Sequence, residues 1–562
     1  MHFVLTLHSH LPYVLNHGRW PHGSDWLCEA TVDTYLPLLE GLRTLEDEGV
    51  AVPVTLGITP VLANQLASGD FRTEMGAFFS QRFKALDEAP TSLQETGDEH
   101  LLPLVDFWRE RFQRLQSLFE SIGGDIVGAF RQLEENGVLE IISSAATHGF
   151  LPLLARDESI QLQLAVGASE HRRLFGRDPQ GCWAPECAYR PAGAWNPIPG
   201  VSAERTRAGL EEFLSEAGFR YFFIDTHMAE AGEALGWSGE VSHGVERLDG
   251  AVEGESRTSL AEASRSAYQT YLVGNPEAGK AVAAFVREPK ASMQVWSRQL
   301  GYPGDGAYLE FHKIRWPSGL KYWSVTGSDV DLGGKEKYDP TQARYRASDH
   351  GTHFSGFLGH IQRKERVGPS GVAMAPFDTE LFGHWWFEGV DFLKELFGRL
   401  PYREGVVAVT ASEHLDSFPP QIAIKPLEGS WGANGDFSMW LNEGTLWTWE
   451  RLWPLEEAFW EAAPRALASE ETRPVIAQAA RQLLLAQSSD WQFMISTGAV
   501  PDYAEIRLNL HCDDAEALLD ALKPGAPAGA LAQALEKVVE LQARDDIFPN
   551  ILDSLEEVLN RR

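Results

Sequence analysis

The sequence predicts an α/β fold in which parallel strands form a barrel. Short apolar runs alternate along the chain with longer helical or loop stretches, and this alternation is typical of a parallel architecture. Most of the runs are continuously apolar, as expected for strands that are covered on both faces. The predicted strands are Phe3–Leu7, Val52–Ile58, Leu139–Ser143, Cys182–Ala184, Tyr221–Ile224, Ser292–Trp296, Val372–Ala375 and Val406–Val409.

Ionisable residues follow many of these runs at the point where the predicted strand ends. They are His8 and His10, His148, Glu186, Asp225 and His227, Asp378 and Glu380, and Glu413 with His414. An α/β barrel places its active site at the carboxyl ends of its strands, whereas an open doubly wound sheet does so mainly at its switch point. No GxGxxG follows the first run and no GxxxxGK[ST] occurs, so nucleotide binding has little support. We therefore favour the barrel.

The chain is predicted to contain two domains. Residues 1–414 are expected to form the barrel, with a helical insertion at 66–135, and residues 415–562 a C-terminal helical domain. The stretch 229–284 is rich in Gly, Ala, Ser and Glu and lacks periodicity, so we expect a lid-like loop there. The clearest helical stretches are Phe107–Phe119, Glu211–Ala217, Val475–Gln487 and Ala528–Ala543.

Composition excludes several classes of function. The chain carries 48 Lys and Arg against 80 Asp and Glu, a formal net charge of −32, which disfavours binding to nucleic acid or to anionic membranes. The four cysteines form neither a disulfide framework nor a CxxC zinc motif. The start lacks the basic region of a signal peptide, and no apolar run is long enough to span a membrane. We expect a cytoplasmic monomer that acts on a neutral substrate.

The pair His8-Ser9-His10 places two imidazoles on the same side of an extended segment. Such a pair can bind zinc or hold substrate hydroxyl groups. A zinc site needs a third protein ligand, which the sequence does not identify. We therefore favour histidines that form hydrogen bonds at the mouth of the barrel, with neither metal nor cofactor.

Two carboxylates follow strands in similar turns. Ala184-Pro185-Glu186 and Ala375-Pro376-Phe377-Asp378 each put an acidic residue after a proline and near tryptophans. Glycoside chemistry needs two carboxyl groups across the scissile bond, so the pair suggests acid catalysis on a sugar. The alternative is that one of them only caps a helix or pairs with an arginine.

The order of several motifs resembles glycoside hydrolase family 57. The motifs are His8-Ser9-His10-Leu11-Pro12, Thr147-His148-Gly149-Phe150-Leu151-Pro152, Trp183-Ala184-Pro185-Glu186, Ala375-Pro376-Phe377-Asp378-Thr379-Glu380 and Glu413-His414. The segment from Gln294 through Trp296 to Asp305, together with the helical tail, is similar to the family's 1,4-α-glucan branching enzymes. The resemblance covers nearly the whole chain.

This resemblance implies a fold and a set of site residues. The fold would be an incomplete (β/α)7 TIM-like barrel, so one of the eight predicted strands should lie outside it. Glu186 would be the nucleophile and Asp378 the acid/base of a retaining mechanism. The further positions expected to bind α-glucan are His8, His10, His148, Arg287, Gly304, Trp431 and Asp490, with Trp296 and Trp440 as sugar platforms.

The stretch 229–284 departs from the resemblance. Branching members carry a tyrosine on a flexible loop over the cleft, but here the corresponding stretch reads Gly236-Trp237-Ser238-Gly239. The next tyrosines are Tyr268 and Tyr271, and we favour Tyr271 as the ring that contacts sugar. The alternative is an acidic insert without a role.

The expected activity is α-1,4-glucan cleavage followed by transfer to a 6-hydroxyl group. Within the same family, an α-amylase or a 4-α-glucanotransferase remains an alternative. A zinc-dependent polysaccharide deacetylase on a similar barrel is an alternative from another class, and it would require an Asp and two His ligands. A non-catalytic glucan-binding protein is the third.

Overall fold

The computed structural model describes residues 1–198, 204–237, 265–297, 301–327 and 329–561. Within these ranges the strands are β1 (His2–Ser9), β2 (Val54–Ile58), β3 (Leu139–Ser144), β4 (Cys182–Trp183), β5 (Gly193–Trp195), β6 (Arg205–Arg207), β7 (Tyr221–Ile224), β8 (Glu233–Trp237), β9 (Tyr271–Asn275), β10 (Lys280–Val286), β11 (Val372–Asp378), β12 (Val407–Ala408) and β13 (Ile422–Lys425).

The α-helices of the described part divide into those before and those after residue 420. The first group is α1 (Ser24–Ala30), α2 (Leu36–Asp47), α3 (Pro60–Ala67), α4 (Gly69–Thr96), α5 (Leu102–Ser121), α6 (Ile126–Glu135), α7 (Asp157–Phe175), α8 (Leu210–Glu216), α9 (Thr226–Glu230), α10 (Pro289–Trp296), α11 (Pro340–Lys364), α12 (Gly389–Arg399) and α13 (Ala411–Ser417). The second is α14 (Leu446–Leu467), α15 (Arg473–Ala486), α16 (Asp490–Thr497), α17 (Pro501–Ala521), α18 (Ala530–Asp545) and α19 (Ile551–Asn560).

Parallel strands form the central sheet. Its order is β11-β1-β2-β3-β4, and β12 pairs with the first two residues of β1. Strands β7 and β10 are also parallel to each other. Parallel bridges join Gly181 to Tyr221 and Arg287 to Met374, so β7 follows beside β4 and β10 beside β11. The predicted α/β fold with parallel strands is confirmed.

Apolar side chains pack on both faces of these strands. One buried cluster lies between strands and helices, and a smaller one includes Val4, Ile142, Trp183, Phe285 and Met374. The second cluster is supplied by strands of the central sheet and by β7 and β10, which are bridged to its two ends. Burial on both faces explains why the runs are continuously apolar.

One predicted strand is wrong. Residues Ser292–Trp296 belong to the helix α10, which starts at Pro289. The Glu288 side chain accepts a hydrogen bond of 2.5 Å from the amide of Ala291 and caps this helix. Proline at the first turn after an acidic cap is a helix-start signal that outweighs the strand propensity of the valine and tryptophan.

The lid prediction for 229–284 is wrong where the structure describes that stretch. Residues 233–237 and 271–275 are strands, and β10 lies beside β7. The sequence of β10 contains three alanines, which have low β propensity, so the strand does not stand out from its Ala-rich surroundings. Residues 238–264, the remainder of the proposed lid, lie outside the described residues.

A strand also lies beyond the predicted domain boundary at 415. Strand β13 pairs with β8 and β9 in a second sheet of order β7-β10-β9-β13-β8. The boundary at 415 therefore cuts through this sheet. From Leu446 onward the described chain is helical, and the stretch 66–135 carries the long helices α4 and α5.

A buried network joins the loop after β1 to the helices at the C-terminal end. The Nε2 atom of His17 lies 2.6 Å from the carboxylate of Asp545, which is fully buried. Arg544 and Gln482 also donate to this carboxylate, and Arg507 donates to the carbonyl of Tyr13. The network attaches the helical region to the barrel mouth. None of the helices in the described part of the chain is long and apolar enough to cross a bilayer.

We expect Asp545→Ala to destabilise the protein by about 2–4 kcal/mol, because the buried donors of His17 and Gln482 lose their acceptor. Although burial opposes ionisation, the hydrogen bonds from His17 and Arg544 hold the pKa of Asp545 well below its ordinary value. Its stabilising effect is therefore present above the unfolded pKa of about 3.9 and is lost as the pH falls below it. Thermal melting at neutral pH measures the change.

Asp546→Ala is the matched control, since this neighbouring carboxylate is exposed. Exposed substitutions usually change stability by less than about 0.5 kcal/mol. Equal melting temperatures for the two variants would contradict a structural role for the network.

Candidate active site

Three histidines lie together at the mouth of the barrel. The Nε2 atoms of His8 and His148 are 3.0 Å apart, and the ring of His10 stacks on that of His148 with centroids 4.0 Å apart. His8 in turn stacks on Trp183 at 4.5 Å. His8 ends β1 and His148 follows β3, so their proximity results from strand-end positions in one parallel sheet.

Burial keeps two of these histidines neutral. It lowers the pKa of His8 and of His148 well below the ordinary value. The nearby His148 and His10 add to the effect at His8, whereas at His148 the effect of His10 adds to it and the charge of Asp490 opposes it. Since a neutral imidazole has one donor and one acceptor nitrogen, one Nε2 atom donates to the other. The Nδ1 atom of His148 lies 2.9 Å from the hydroxyl of Ser489. These rings offer hydrogen bonds without adding positive charge.

Asp490 enters this group from the start of α16. Its Oδ2 atom lies 2.9 Å from Nε2 of His10, and Nδ1 of the same ring lies 3.0 Å from the hydroxyl of Thr59. Ser488 also donates to Asp490. Although burial opposes ionisation, the charge and hydrogen bond of His10 lower the pKa of Asp490 to about 2. The helical region therefore contributes a permanent negative charge.

Glu186 is held in a strained turn after β4. Its φ of 62° lies in the left-handed region, as does the φ of 48° at Cys187, and such residues usually cost about 1–3 kcal/mol each. The indole nitrogen of Trp431 donates to Oε2 of Glu186 at 2.8 Å, and the Trp431 amide donates to the Glu186 carbonyl at 3.0 Å. Nδ1 of His148 lies 3.8 Å from Oε1. Surrounding contacts thus fix both the backbone and the carboxylate.

Asp378 stands at the end of β11, in register with His8 of the neighbouring β1. The hydroxyl of Ser9 donates to that of Thr379 at 2.7 Å and joins the two strand ends. Arg287 follows β10; its Nη1 atom lies 3.3 Å from Asp225, and its guanidinium lies 5.6 Å from the ring centroid of Trp431. The barrel therefore brings the two predicted carboxylates and Arg287 to the same end.

The two carboxyl groups share a buried environment. Burial raises the pKa of Glu186 to about 8, the Trp431 hydrogen bond opposes the rise, and the charge of Asp378 adds to it. Burial also raises the pKa of Asp378 to about 6, against the effects of His10 and Arg287. Between these values the pair holds one proton, as a retaining mechanism needs. The two values belong to the coupled pair and do not assign the proton to one member, and the indole N–H of Trp431 favours the ionised form of Glu186.

Glu380 is a buried carboxyl group that the sequence analysis did not assign to the site. It accepts a hydrogen bond of 2.5 Å from the hydroxyl of Tyr35 and one of 3.2 Å from the amide of His10. Burial, the largest cause, and the nearby Asp378 charge raise its pKa to about 8. In the sequence, its position two residues after Asp378 was the signal that could have assigned it to the site. It connects the Asp378 turn to the His10 segment.

Several predicted sugar contacts lie away from this group. Tyr271 is fully buried in β9, and its hydroxyl is bonded to Ser266 and Gln269, so its ring offers no face to a sugar in this structure. This corrects the prediction that Tyr271 stands over the cleft. Trp440 is also fully buried and stacks on Phe150 at 4.4 Å, so it is a core residue here.

Gly304 and Trp296 differ in their position relative to the group. Gly304 lines a cavity of about 560 Å³ beside Asp305 and Arg346. Trp296, at the end of α10, is partly exposed and lies 6.4 Å from the ring of Phe377, the residue before Asp378. Trp296 therefore borders the site.

A possible metal-ligand set exists among the described residues. Ligand atoms of His10, His148 and Asp490 lie within 4.8 Å of one another, so the third partner that the sequence did not identify is present. However, the two rings are stacked with an interplanar angle of 20°, which keeps their nitrogen lone pairs nearly parallel. A tetrahedral zinc site needs lone pairs that converge. The arrangement suits hydrogen bonding better, and activity without metal stays a prediction.

The chain matches two known protein families. Residues 4–425 match the family described as Glycosyl hydrolase family 57. The chain belongs to glycosyl hydrolase family 57. Residues 452–554 match a second family, described as 1,4-alpha-glucan branching enzyme, C-terminal. The resemblance that the motifs indicated is confirmed.

Relatives in family 57 share nearly the whole chain. A 1,4-alpha-glucan branching enzyme of Thermococcus kodakarensis is 39% identical over 97% of this chain and 77% of its own length. A crystal structure of a branching enzyme from that organism superposes with a TM-score of 0.85 at 37% identity, over 99% of this chain and 96% of that one. The α-amylase AmyC of Thermotoga maritima has a TM-score of 0.77 at 29% identity, over 98% of each chain.

The shared proton predicts a bell-shaped dependence of kcat/KM on pH. Activity should fall below about pH 6, where both carboxyl groups become protonated, and above about pH 8, where both become ionised. Initial rates on amylose across this range test the prediction. A flat profile between about pH 5 and pH 9 would contradict single-proton sharing by Glu186 and Asp378.

Trp431→Phe should lower kcat by about 10- to 100-fold. The variant keeps a ring against Trp183, 4.9 Å away, but loses the N–H that stabilises the ionised form of Glu186. A hydrogen bond to a charged group contributes about 1.5–3 kcal/mol. The partly buried Trp447 allows the control Trp447→Phe, which should leave kcat within about twofold of the wild type. Equal kcat values for the two variants would show that the indole N–H of Trp431 does not contribute to catalysis.

Proposed function

We propose that this protein is a 1,4-α-glucan branching enzyme. The observation that carries the proposal is the buried pair Glu186 and Asp378 at strand ends, with Trp431 and Asp490 of the C-terminal region in contact with the same group. The similarity to the branching enzyme C-terminal family covers residues 452–554, which include Asp490, and the similarity to the branching enzyme of Thermococcus kodakarensis covers 97% of the chain. The substrate is an α-glucan such as amylose or glycogen.

The first half of the reaction forms a covalent intermediate. The ionised carboxylate of Glu186 attacks C1 of the sugar, and the bond from C1 to the glycosidic oxygen breaks. Asp378 gives its proton to that oxygen, which leaves as the 4-hydroxyl group of the released chain. Trp431 holds Glu186 in place for attack through its indole N–H.

The second half transfers the chain. The 6-hydroxyl group of an acceptor glucan gives its proton to Asp378 while its oxygen attacks C1. The bond between C1 and Glu186 breaks, so Glu186 is again ionised and Asp378 again protonated. The product contains a new α-1,6 bond. If water replaces the acceptor, the same steps give hydrolysis.

Sugar hydroxyl groups are held by the histidine group. His148 uses both ring nitrogens on His8 and Ser489, so Nδ1 of His8 is the ring nitrogen of this pair without a partner among the described residues, while ionised Asp490 accepts only. His10 remains oriented between Asp490 and Thr59. Arg287, which follows β10 and lies next to Asp225, is a further donor to sugar hydroxyl groups. Polar groups already fixed in place contribute binding energy without reordering on contact with the sugar.

The barrel that carries these groups contains seven strands in our proposal. Parallel pairing joins β11, β1, β2, β3 and β4 in that order. The bridge from Gly181 to Tyr221 places β7 beside β4, and the bridge from Arg287 to Met374 places β10 beside β11. Because β7 also pairs with β10, these contacts support a closed ring. Two predicted runs then lie outside the ring: β12, which touches only the start of β1, and the helical run Ser292–Trp296. The strand β10, which was not predicted, completes the seven. We further propose that the barrel forms the catalytic domain, the helices after Leu446 a second one, and that the protein works in the cytoplasm as a monomer.

An α-amylase is the second candidate, favoured by the structural similarity to AmyC at 98% coverage. The two activities share the intermediate on Glu186 and differ in which nucleophile attacks it. Access of the acceptor to C1 therefore decides between them.

Incubation of the protein with amylose should produce α-1,6 linkages, and proton NMR of the product measures them directly. Glu186→Gln should lower both branch formation and the release of reducing ends by at least about 10³-fold, since the nucleophile is lost. Near-equal volume should keep the fold, which thermal melting verifies. Reducing ends without new α-1,6 signals would support the amylase instead.

A further inference from the structure

Two neighbouring tryptophans after Asp378 have opposite environments. Trp386 is 1% exposed and packs in the core against Phe382 and Phe392. Trp385, the residue before it, is 54% exposed. Exposure of so large an aromatic ring costs hydrophobic free energy, and an exposed aromatic surface beside a catalytic group often marks a binding site.

The backbone holds Trp385 rigidly relative to the catalytic loop. Its amide donates to the carbonyl of Glu380 at 3.1 Å, and the amide of His384 donates to the hydroxyl of Thr34. Gly383 has a φ of 123° and packs so closely on the carbonyl of Asp33 that a Cβ would lie 2.0 Å from it. Asp378 and Glu380 are two Cα–Cα steps apart, at most about 7.6 Å, and Trp385 is hydrogen-bonded to Glu380, so the backbone of Trp385 lies within roughly 15 Å of that of Asp378.

A second aromatic ring supports Trp385 from one side. Phe311 lies 4.4 Å from it between ring centroids, with an interplanar angle of 33°. The ammonium group of Lys321 lies over the Phe311 ring at 4.5 Å, so it occupies the face that Trp385 does not cover. His384 packs edge-on against Phe311 at 5.3 Å. These contacts fix the tryptophan ring while much of its surface faces solvent.

We propose that Trp385, supported by Phe311, is a platform on which a glucose ring of the acceptor chain stacks. The inference rests on the proposed function. Asp378 as acid/base must lie beside the glycosidic oxygen, and the leaving chain and later the acceptor lie beyond that oxygen. Trp385 belongs to the loop that follows Asp378, which places the platform on this side. A flat aromatic face matches the apolar C–H face of a neutral sugar and needs no charge.

The platform contributes to acceptor binding and so to the choice between transfer and hydrolysis. An acceptor chain held at Trp385 keeps its 6-hydroxyl group near C1, where it competes with water for the intermediate. The catalytic steps on Glu186 do not involve Trp385. Its loss should therefore weaken chain binding and raise the share of hydrolysis.

The test compares Trp385→Ala with Trp385→Phe, with KM for amylose and the ratio of reducing ends to α-1,6 bonds as readouts. We expect Trp385→Ala to raise KM by roughly 3- to 10-fold and to raise the ratio, in line with the loss of one aromatic contact. Trp385→Phe should recover most of both losses, because it keeps a ring. Phe311→Ala should give an intermediate effect.

Tyr402→Ala is the matched control. Tyr402 is 86% exposed and lies before β12, at the amino end of the strands and so at the opposite end from the site. It should behave as the wild type. Thermal melting should show that the exposed positions 385 and 402 tolerate alanine equally.

A direct binding measurement removes any contribution from turnover. In the Glu186→Gln background, isothermal titration with maltoheptaose should give a weaker Kd for the added Trp385→Ala than for the added Tyr402→Ala. Equal Kd, KM and product ratio for the two alanine variants would overturn the platform. If the wild type forms no α-1,6 bonds, the branching proposal fails, and the Kd and KM comparisons still decide whether Trp385 binds glucan.

Discussion

Contact between the barrel mouth and the C-terminal helical region is the constraint on which the site depends. Asp490 from the helical region pairs with His10 of the first strand end, 480 residues away, and Trp431 donates to Glu186. Without these partners, His10 would lose its orientation and Glu186 its only side-chain donor among the described residues. The buried carboxylate of Asp545 and its cations secure the same two regions deeper in the molecule. The contacts that orient the proposed site residues therefore also attach the C-terminal region to the barrel.

Burial raises the pKa of each acidic group of this site, but their partners compensate for it to different extents. Asp490 stays ionised because His10 compensates its desolvation, whereas Glu186 and Asp378 have weaker compensation and raised pKa values. A buried carboxylate without a partner is costly, so the pair retains one proton between them. In the proposed mechanism, Asp490 supplies a permanent charge for binding and the pair supplies a mobile proton for chemistry.

Strain accumulates at the catalytic turns and is compensated by surrounding contacts. His148 and Glu186 both have positive φ, which branched or bulky side chains seldom adopt. Each is fixed by hydrogen bonds from outside its own segment: Ser489 contacts His148, and Trp431 contacts both the backbone and side chain of Glu186. Ser489 of the helical region and Trp431 of the loop before it thus stabilise backbone conformations that the strand ends alone would not maintain.

Local patterns in the sequence were enough to identify the family, the parallel α/β class and the two carboxylates, because each depends on short-range order: apolar runs, and acidic residues directly after them. Tertiary structure decided what depends on distant contacts. The Ala-rich β10 is a strand because it pairs with β7, and Ser292–Trp296 is a helix despite its strand-like residues. Whether a tryptophan is core or platform likewise depends on its neighbours, as Trp386 and Trp385 show. Residue type sets which chemistry is available, but only packing determines burial, partners and exposure.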